Sequence, residues 1–258
     1  NPLTLVRAPR VDHADEVVPL VPVTVEEIRS ALFAPMPIPI AEGTRSGSRR
    51  RAYDMPDQRS EAIRLRDATL VAALAYSGLR PSEAGALRWG DIRERTILVQ
   101  RSTDADGSIK STKGRKSRSV RLLSPLAADL REWRLAAGRP LEAALLFPRS
   151  DGAAWTKEDW NNWRSRTWKT ACRRSGLDEI PRPYDLRHSF ASLLLAEGKT
   201  IHYVAKQLGH SPAETLGTYG HVLDEFEDSD RVDAEAEILA ARKSALNDVG
   251  PPSRVAKG

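Results

Sequence analysis

Apolar side chains recur near the helical period along most of this chain, and the breaks in that pattern mark its elements. Thr24-Val25-Glu26-Glu27 reads as a capping box that opens a helix ending near Pro35. Residues 61–77 predict a second helix stopped by Gly78, and Pro81 starts a third that runs to about Trp89. Residues 96–102 and 117–123 read as strands, with Asp104-Ala105-Asp106-Gly107 as a turn between them and Leu145-Leu146-Phe147 as a short extended piece. Ser124-Pro125 begins a helix to about Ala137. Further helices are predicted over 157–175, 185–196, 200–208 and 212–218, with a last one over 230–246.

Two stretches carry neither period. Residues 1–23, with four prolines, read as a linker or arm, and residues 35–60, rich in Pro, Gly, Ser and Arg, read as a mobile loop. The division expected is therefore an arm (1–23), one domain (24–223) and an acidic tail with a helix (224–258). The fold class expected is α+β, mainly α, with a small antiparallel sheet, and no internal repeat is present.

Composition narrows the function. In 258 residues, 40% of them hydrophobic, there is room for one good core, and no apolar run approaches the length that spans a bilayer. The N-terminus lacks the charged and apolar regions of a signal peptide. Cys172 is the single cysteine, so no internal disulfide forms, and no Cys/His cluster has zinc spacing. A cytoplasmic protein without metal or cofactor is expected.

The net charge of +5 is modest, but its distribution is uneven. No acid occurs from Gly107 to Ala128, where Lys110, Lys113, Arg115, Lys116, Arg118 and Arg121 crowd together. A second acid-free stretch from Trp160 to Leu177 holds Arg164, Arg166, Lys169, Arg173 and Arg174, whereas Asp224 to Glu237 holds eight acids against one arginine. Clustered cations of this kind suit a polyanionic partner, with Lys110, Arg115, Lys116 and Arg118 as candidate DNA contacts; the plainer reading is a solvated basic face.

Pro183-Tyr184-Asp185-Leu186-Arg187-His188-Ser189-Phe190, then Leu208-Gly209-His210 and Tyr219, place an arginine, a histidine and a tyrosine within a short C-terminal span. A further arginine stands upstream in Ser77-Gly78-Leu79-Arg80-Pro81-Ser82-Glu83. Two guanidinium groups can hold the non-bridging oxygens of a phosphodiester, and a phenol can attack its phosphorus. Taken singly, Arg80 reads as a surface arginine at a helix start and Arg187 as a partner in a salt bridge.

Together these residues resemble the tyrosine site-specific recombinases, or phage integrases. The family pattern is an arginine after Gly-Leu, a hairpin lysine, a His-x-x-Arg box, a Leu-Gly-His box and a tyrosine nine residues later. Arg80, Lys113, Arg187, His210 and Tyr219 fall on those positions in order, with the acidic Glu83 three residues after the first arginine. The resemblance covers about Thr24 to Leu223 and implies the family's mainly helical catalytic domain. It implies strand cleavage by Tyr219 to a 3′-phosphotyrosyl enzyme and a free 5′ hydroxyl, with Lys113 protonating the departing oxygen. Lys110 and Lys116 rival Lys113, and only alignment to the family separates them. The resemblance also implies a separate N-terminal core-binding domain that would precede the arm, and assembly on paired DNA sites as a homo-tetramer.

Tyr184 departs from the pattern, standing where the family usually has the first histidine of the box. A phenol can donate to a phosphate oxygen but is a poor base near neutrality, so Tyr184 is expected to orient or donate, or else simply to pack at a helix start. Proton removal from Tyr219 then falls to His210, water or the phosphate itself. His188, His202 and His221 read as structural histidines, and Tyr76 and Tyr203 as core residues. In the acidic tail, Val232, Ala236, Ile238, Leu239 and Ala240 form an apolar stripe expected to dock on a neighbouring protomer, the plainer reading being that it packs on its own domain. Two rival functions remain: a topoisomerase-like or strand-resolving enzyme of the same chemistry, and a non-catalytic DNA-binding module.

Overall fold

The computed structural model describes residues 19–35, 38–39, 54–55, 59–111, 117–226 and 231–248. At its centre lies α2 (Glu61–Ser77), buried without interruption from Arg66 to Ser77 because its Ala, Leu and Val side chains leave no polar face. Ser60 caps its N-terminus by accepting from the Ile63 amide, and Gly78 ends it with φ of 59°. A Cβ at Gly78 would lie 2.6 Å from the Phe190 ring and 2.9 Å from Leu208, so both the backbone turn and the packing require glycine.

Helix α1 (Pro22–Phe33) packs on α2 through Val25, Ile28 and Leu32. It begins two residues before the expected Thr24 cap. Pro22 at the first helical position puts Thr24 inside the first turn, and Glu26 is buried against the Tyr76 hydroxyl at 2.7 Å and bonded to Arg29. Most of the expected 35–60 loop lies outside the described residues; Ile38–Pro39 (β1) and Asp54–Met55 (β2) pair antiparallel within it.

After α2, Leu79 leads into the short helix α3 (Pro81–Ala86), followed by a 3-10 turn at Trp89–Asp91. Strand β3 (Thr96–Val99) pairs antiparallel with β6 (Arg118–Arg121), and β4 (Arg101–Thr103) forms a hairpin with β5 (Ile109–Ser111). The first expected strand is thus split at Gln100, and β5 is an additional one. Leu145 makes only an isolated bridge, to Arg88.

Helix α4 (Ser124–Ala136) follows, then α5 (Lys157–Trp163), a π-helical turn over Arg164–Trp168 and α6 (Lys169–Arg174) in one run. Along that run Trp155, Trp160, Trp163 and Trp168 stack in series, with centroids 5.1–6.0 Å apart between successive rings. Helices α7 (Leu186–Ala196), α8 (Ile201–Leu208) and α9 (Pro212–Phe226) complete the domain, with α7 against α2 and α9 against both α7 and α8. Among the described residues no helix is long and apolar enough to cross a membrane.

Helix α10 (Ala234–Asp248) covers its own domain, touching α1, α4 and α7. The stripe it buries is Ala234, Ile238, Ala241 and Ala245, at strict helical spacing, whereas Ala236, Leu239 and Ala240 of the expected stripe are exposed. Polar contacts fasten it: Arg242 pairs with Asp129 at 2.6 Å and with Glu26 at 3.4 Å, and Glu235 meets Ser124. Deleting residues 229–258 removes this cover and leaves apolar surface on α1 and α4 open. We expect the melting temperature to fall by roughly 10 °C, from about 3–5 kcal/mol of lost burial and pairing. A scan showing a loss under about 2 °C would mean that the packing contributes little.

Candidate active site

Pro81 at the first helical position fixes the start of α3 and leaves Arg80 as its N-cap residue. Glu83 holds that cap from below: its carboxylate accepts from the Arg80 backbone N–H at 2.8 Å and from Arg80 Nη1 at 3.0 Å. Arg118 on β6 then donates to both oxygens of Glu83, each at 2.7 Å, while its Nε donates to the Gln207 carbonyl at 2.9 Å. Burial alone would raise the Glu83 pKa, but the hydrogen bonds and charge of Arg118, helped by Arg80, hold it down at about 2. The carboxylate therefore stays charged and orients Arg80, whose side chain remains partly open to solvent.

Arg187, in the first turn of α7, is only 1% exposed. Its Nη1 donates to the Gly78 carbonyl and its Nη2 to the Leu208 carbonyl, so the C-terminal ends of α2 and α8 meet on one guanidinium. Burial, followed by the nearby positive charges of Arg80 and Arg118, lowers its pKa to about 10, which leaves it a cation at neutral pH. Its Nε is buried without a hydrogen-bond partner among the described residues.

Gly209, with φ of 71°, closes α8, and His210 follows at once. Nε2 of His210 lies 2.9 Å from Arg187 Nη2. A guanidinium only donates, so Nε2 accepts and the ring proton of the neutral form sits on Nδ1. That Nδ1 is buried and unpartnered among the described residues. Burial and the Arg187 charge push the His210 pKa down to about 4, so the ring is neutral at physiological pH.

Tyr219 lies within α9, which runs through it without a break. The helix expected over 212–218 thus continues past Gly220, since one glycine inside a helix costs only about 1 kcal/mol. Its side chain is 0% exposed, and its hydroxyl lies 2.7 Å from Nδ1 of His188. Burial raises the phenol pKa further above its usual value. Tyr184 is 37% exposed and sits edge-on to His188, with ring centroids 5.9 Å apart.

The structure thus brings Arg80, Arg187 and His210 together, with Glu83 and Arg118 supporting them, and sets Tyr219 against His188. Arg118, expected among the open DNA contacts, is instead a half-buried partner of Glu83, because the carboxylate draws its fork inward. Lys110 is exposed on β5 and paired with Asp104. Lys113, Arg115 and Lys116 lie outside the described residues. Beside Arg80 a cavity of about 420 Å³ opens between Trp155, Trp160, Phe147 and Tyr184. Among the described residues no group of His, Cys, Asp and Glu is arranged to hold a metal ion.

Residues 49–225 match the model of the phage integrase family. The tyrosine recombinase XerC of Xanthomonas axonopodis pv. citri (strain 306) is 33% identical over 181 residues, covering 70% of this chain and 54% of XerC. The tyrosine recombinase XerD of Corynebacterium glutamicum is 32% identical over 163 residues, covering 62% of this chain and 49% of XerD. The chain spans about half the length of the relatives it matches. Among solved structures, the Tn1549 transposon integrase in complex with transposon right end DNA has a TM-score of 0.59 at 21% identity, covering 89% of this chain and 68% of that one. The XerA recombinase has a TM-score of 0.57 at 20% identity, covering 84% and 66%; both share the fold. The family match takes in Arg80, Glu83, Arg118, Arg187, His210 and Tyr219, and the chain belongs to the phage integrase family as a tyrosine recombinase catalytic domain.

Proposed function

We propose that this chain is the catalytic part of a site-specific DNA recombinase that cuts and rejoins strands through a 3′-phosphotyrosyl intermediate at Tyr219. The observation that carries this reading is the Arg187 knot, which fixes a buried cation, the donor His210 and the ends of two helices around one point next to Arg80. Donors set in advance at the oxygens where charge accumulates make the largest catalytic contribution, since they need no reorganisation during reaction.

In this mechanism Arg80 and Arg187 take the non-bridging oxygens of the scissile phosphate, and His210 donates its Nδ1 proton to one of them. The Tyr219 oxygen attacks phosphorus as the bond to the 5′ oxygen breaks, and Lys113 supplies the proton that makes that oxygen a hydroxyl. Return attack by a hydroxyl, from the same or a partner strand, releases Tyr219. The ester keeps the bond energy throughout, so no nucleotide is consumed. Tyr184, beside Arg187 and Tyr219, orients the phosphate in place of the imidazole usual at its position. Lys110, Arg115 and Lys116 hold the flanking backbone.

Double-stranded DNA is the substrate proposed and the cytoplasm the site of action. Assembly is proposed as a homo-tetramer on paired sites. Because α10 fills the groove of its own domain, exchange of the tail between protomers requires it to undock first. The preceding arm would connect to a separate DNA-binding domain.

The test is covalent capture. Duplexes selected by the protein from a random pool, nicked close to the crossover, should yield a denaturation-resistant protein–DNA adduct, and its yield should hold in excess chelator because Arg80, Arg187 and Lys113 carry the charge a metal would otherwise supply. Loss of the adduct in chelator, with recovery on adding magnesium, would sink this mechanism. Selective binding without any adduct would favour the non-catalytic module, and relaxation of supercoils without a preferred site would favour the topoisomerase.

A further inference from the structure

The mechanism leaves open where the Tyr219 proton goes. His210 is poorly placed to take it: Nε2 already accepts from Arg187 at 2.9 Å, and Nδ1 carries the proton. Tyr184 is a phenol and therefore a weak base near neutrality. The side chain in hydrogen-bond contact with the nucleophilic oxygen is His188, whose Nδ1 lies 2.7 Å from it, both residues being buried.

We propose that His188 is the general base of the cleavage step and the general acid of rejoining. As the Tyr219 oxygen bonds to phosphorus, its proton passes along the existing hydrogen bond to Nδ1 of His188. The electron pair of the broken P–O5′ bond leaves with the 5′ oxygen, which is protonated separately by Lys113. In rejoining, an incoming hydroxyl attacks the phosphotyrosine and gives its proton back to Lys113, while His188 returns its own proton to the phenol oxygen as the P–O bond to Tyr219 breaks. The balance is closed: one proton is parked on one imidazole for the lifetime of the intermediate.

Three features of the fold support the role. His188 follows Arg187 on α7, so the group that grips the phosphate and the group that receives the proton are set by one helix. Its environment keeps the ring neutral and able to accept: burial lowers its pKa, Arg187 and Arg182 act in the same direction, and Asp185 opposes them. From α9 it faces Tyr219, and from its own N-terminal side the edge of the Tyr184 ring. Tyr219 is closed off from solvent, so the 2.7 Å hydrogen bond to His188 lies in a dry setting, where a preset contact counts for more than in water.

This inference rests on the recombinase reading, and its test separates the two. His188→Asn places an amide oxygen near the Nδ1 position, which preserves a hydrogen-bond acceptor but cannot hold a proton. In single-turnover capture on the nicked duplex, this variant should bind DNA as the wild type does and form the adduct about 100-fold more slowly, the lower end of what a general base contributes. The wild-type rate should also fall as pH is lowered through the titration of His188, below the usual histidine value of about 6.5, and that acid limb should vanish in the variant. An asparagine variant within about threefold of wild type, or faster, would overturn the proposal, the faster outcome making His188 a latch that restrains Tyr219. If the variant does not fold, the wild-type profile alone decides: the histidine resonances are followed by NMR, and a cleavage rate flat through the His188 titration overturns the idea. A wild type that forms no adduct at any pH defeats the recombinase reading itself, and this inference with it.

Discussion

Tyr219→Phe is expected to abolish the covalent adduct completely while leaving affinity for DNA within about twofold. Only one oxygen is removed, and in the proposed mechanism it is the atom that bonds to phosphorus, so that mechanism leaves no residual slow reaction through this side chain. The ring keeps its place between α7 and α9, and the structural cost is confined to the acceptor on His188, which loses its partner in a buried setting, about 1–3 kcal/mol. Denaturing electrophoresis of nicked-duplex reactions reads the adduct, and gel shift reads affinity. An adduct that persisted in this variant would assign the nucleophile to another tyrosine. Tyr76 is excluded on structural grounds, because its hydroxyl is buried against Glu26 at 2.7 Å.

Arg187→Ala should affect both chemistry and fold. Removing a preset donor from the phosphate should slow cleavage by roughly a thousandfold or more. The same change leaves the carbonyls of Gly78 and Leu208 without the guanidinium that joins them, at about 1–3 kcal/mol for each buried acceptor, partly offset by relief from burying a charge. A melting temperature several degrees lower is therefore expected. Arg187→Lys should recover little, since a single ammonium cannot span two carbonyls and the His210 ring together. Cleavage by the alanine variant within about tenfold of wild type would remove Arg187 from the transition state.

How far the sequence disclosed this arrangement depends on the reach of each signal. The end of helix α2 is legible in the sequence because Gly78 acts locally through a left-handed turn. Arg80, Arg187, His210 and Tyr219 stood out through an ordered pattern, and the structure brings the first three together. Sequence alone places Arg118 on the basic face, because its partner, Glu83, lies 35 residues away and no local rule links them. His188 reads as structural in the sequence for a related reason: the packing of α9 on α7 is what brings a phenol to its Nδ1. The stripe on α10 was read out of phase because Leu239 outweighs alanine in any hydropathy pattern, whereas packing against α1 selects the small side chains of Ala234, Ala241 and Ala245. The Thr24 cap is absent because Pro22, at the first helical position, starts α1 earlier and puts Thr24 inside its first turn.

The unbroken course of α9 through Tyr219 makes that helix a lever. Its near end is pinned where Ser211 accepts from the Glu214 amide at 3.1 Å, and Tyr219 sits seven residues along from Pro212, about 10 Å of helix rise. A tilt of about 6° around the pinned end carries the Tyr219 side chain about 1 Å, a displacement on the scale that changes reaction rates by two orders of magnitude. On the proposed mechanism, the angle of α9 alone would then set the cleavage rate, with every group proposed to meet the phosphate left in place.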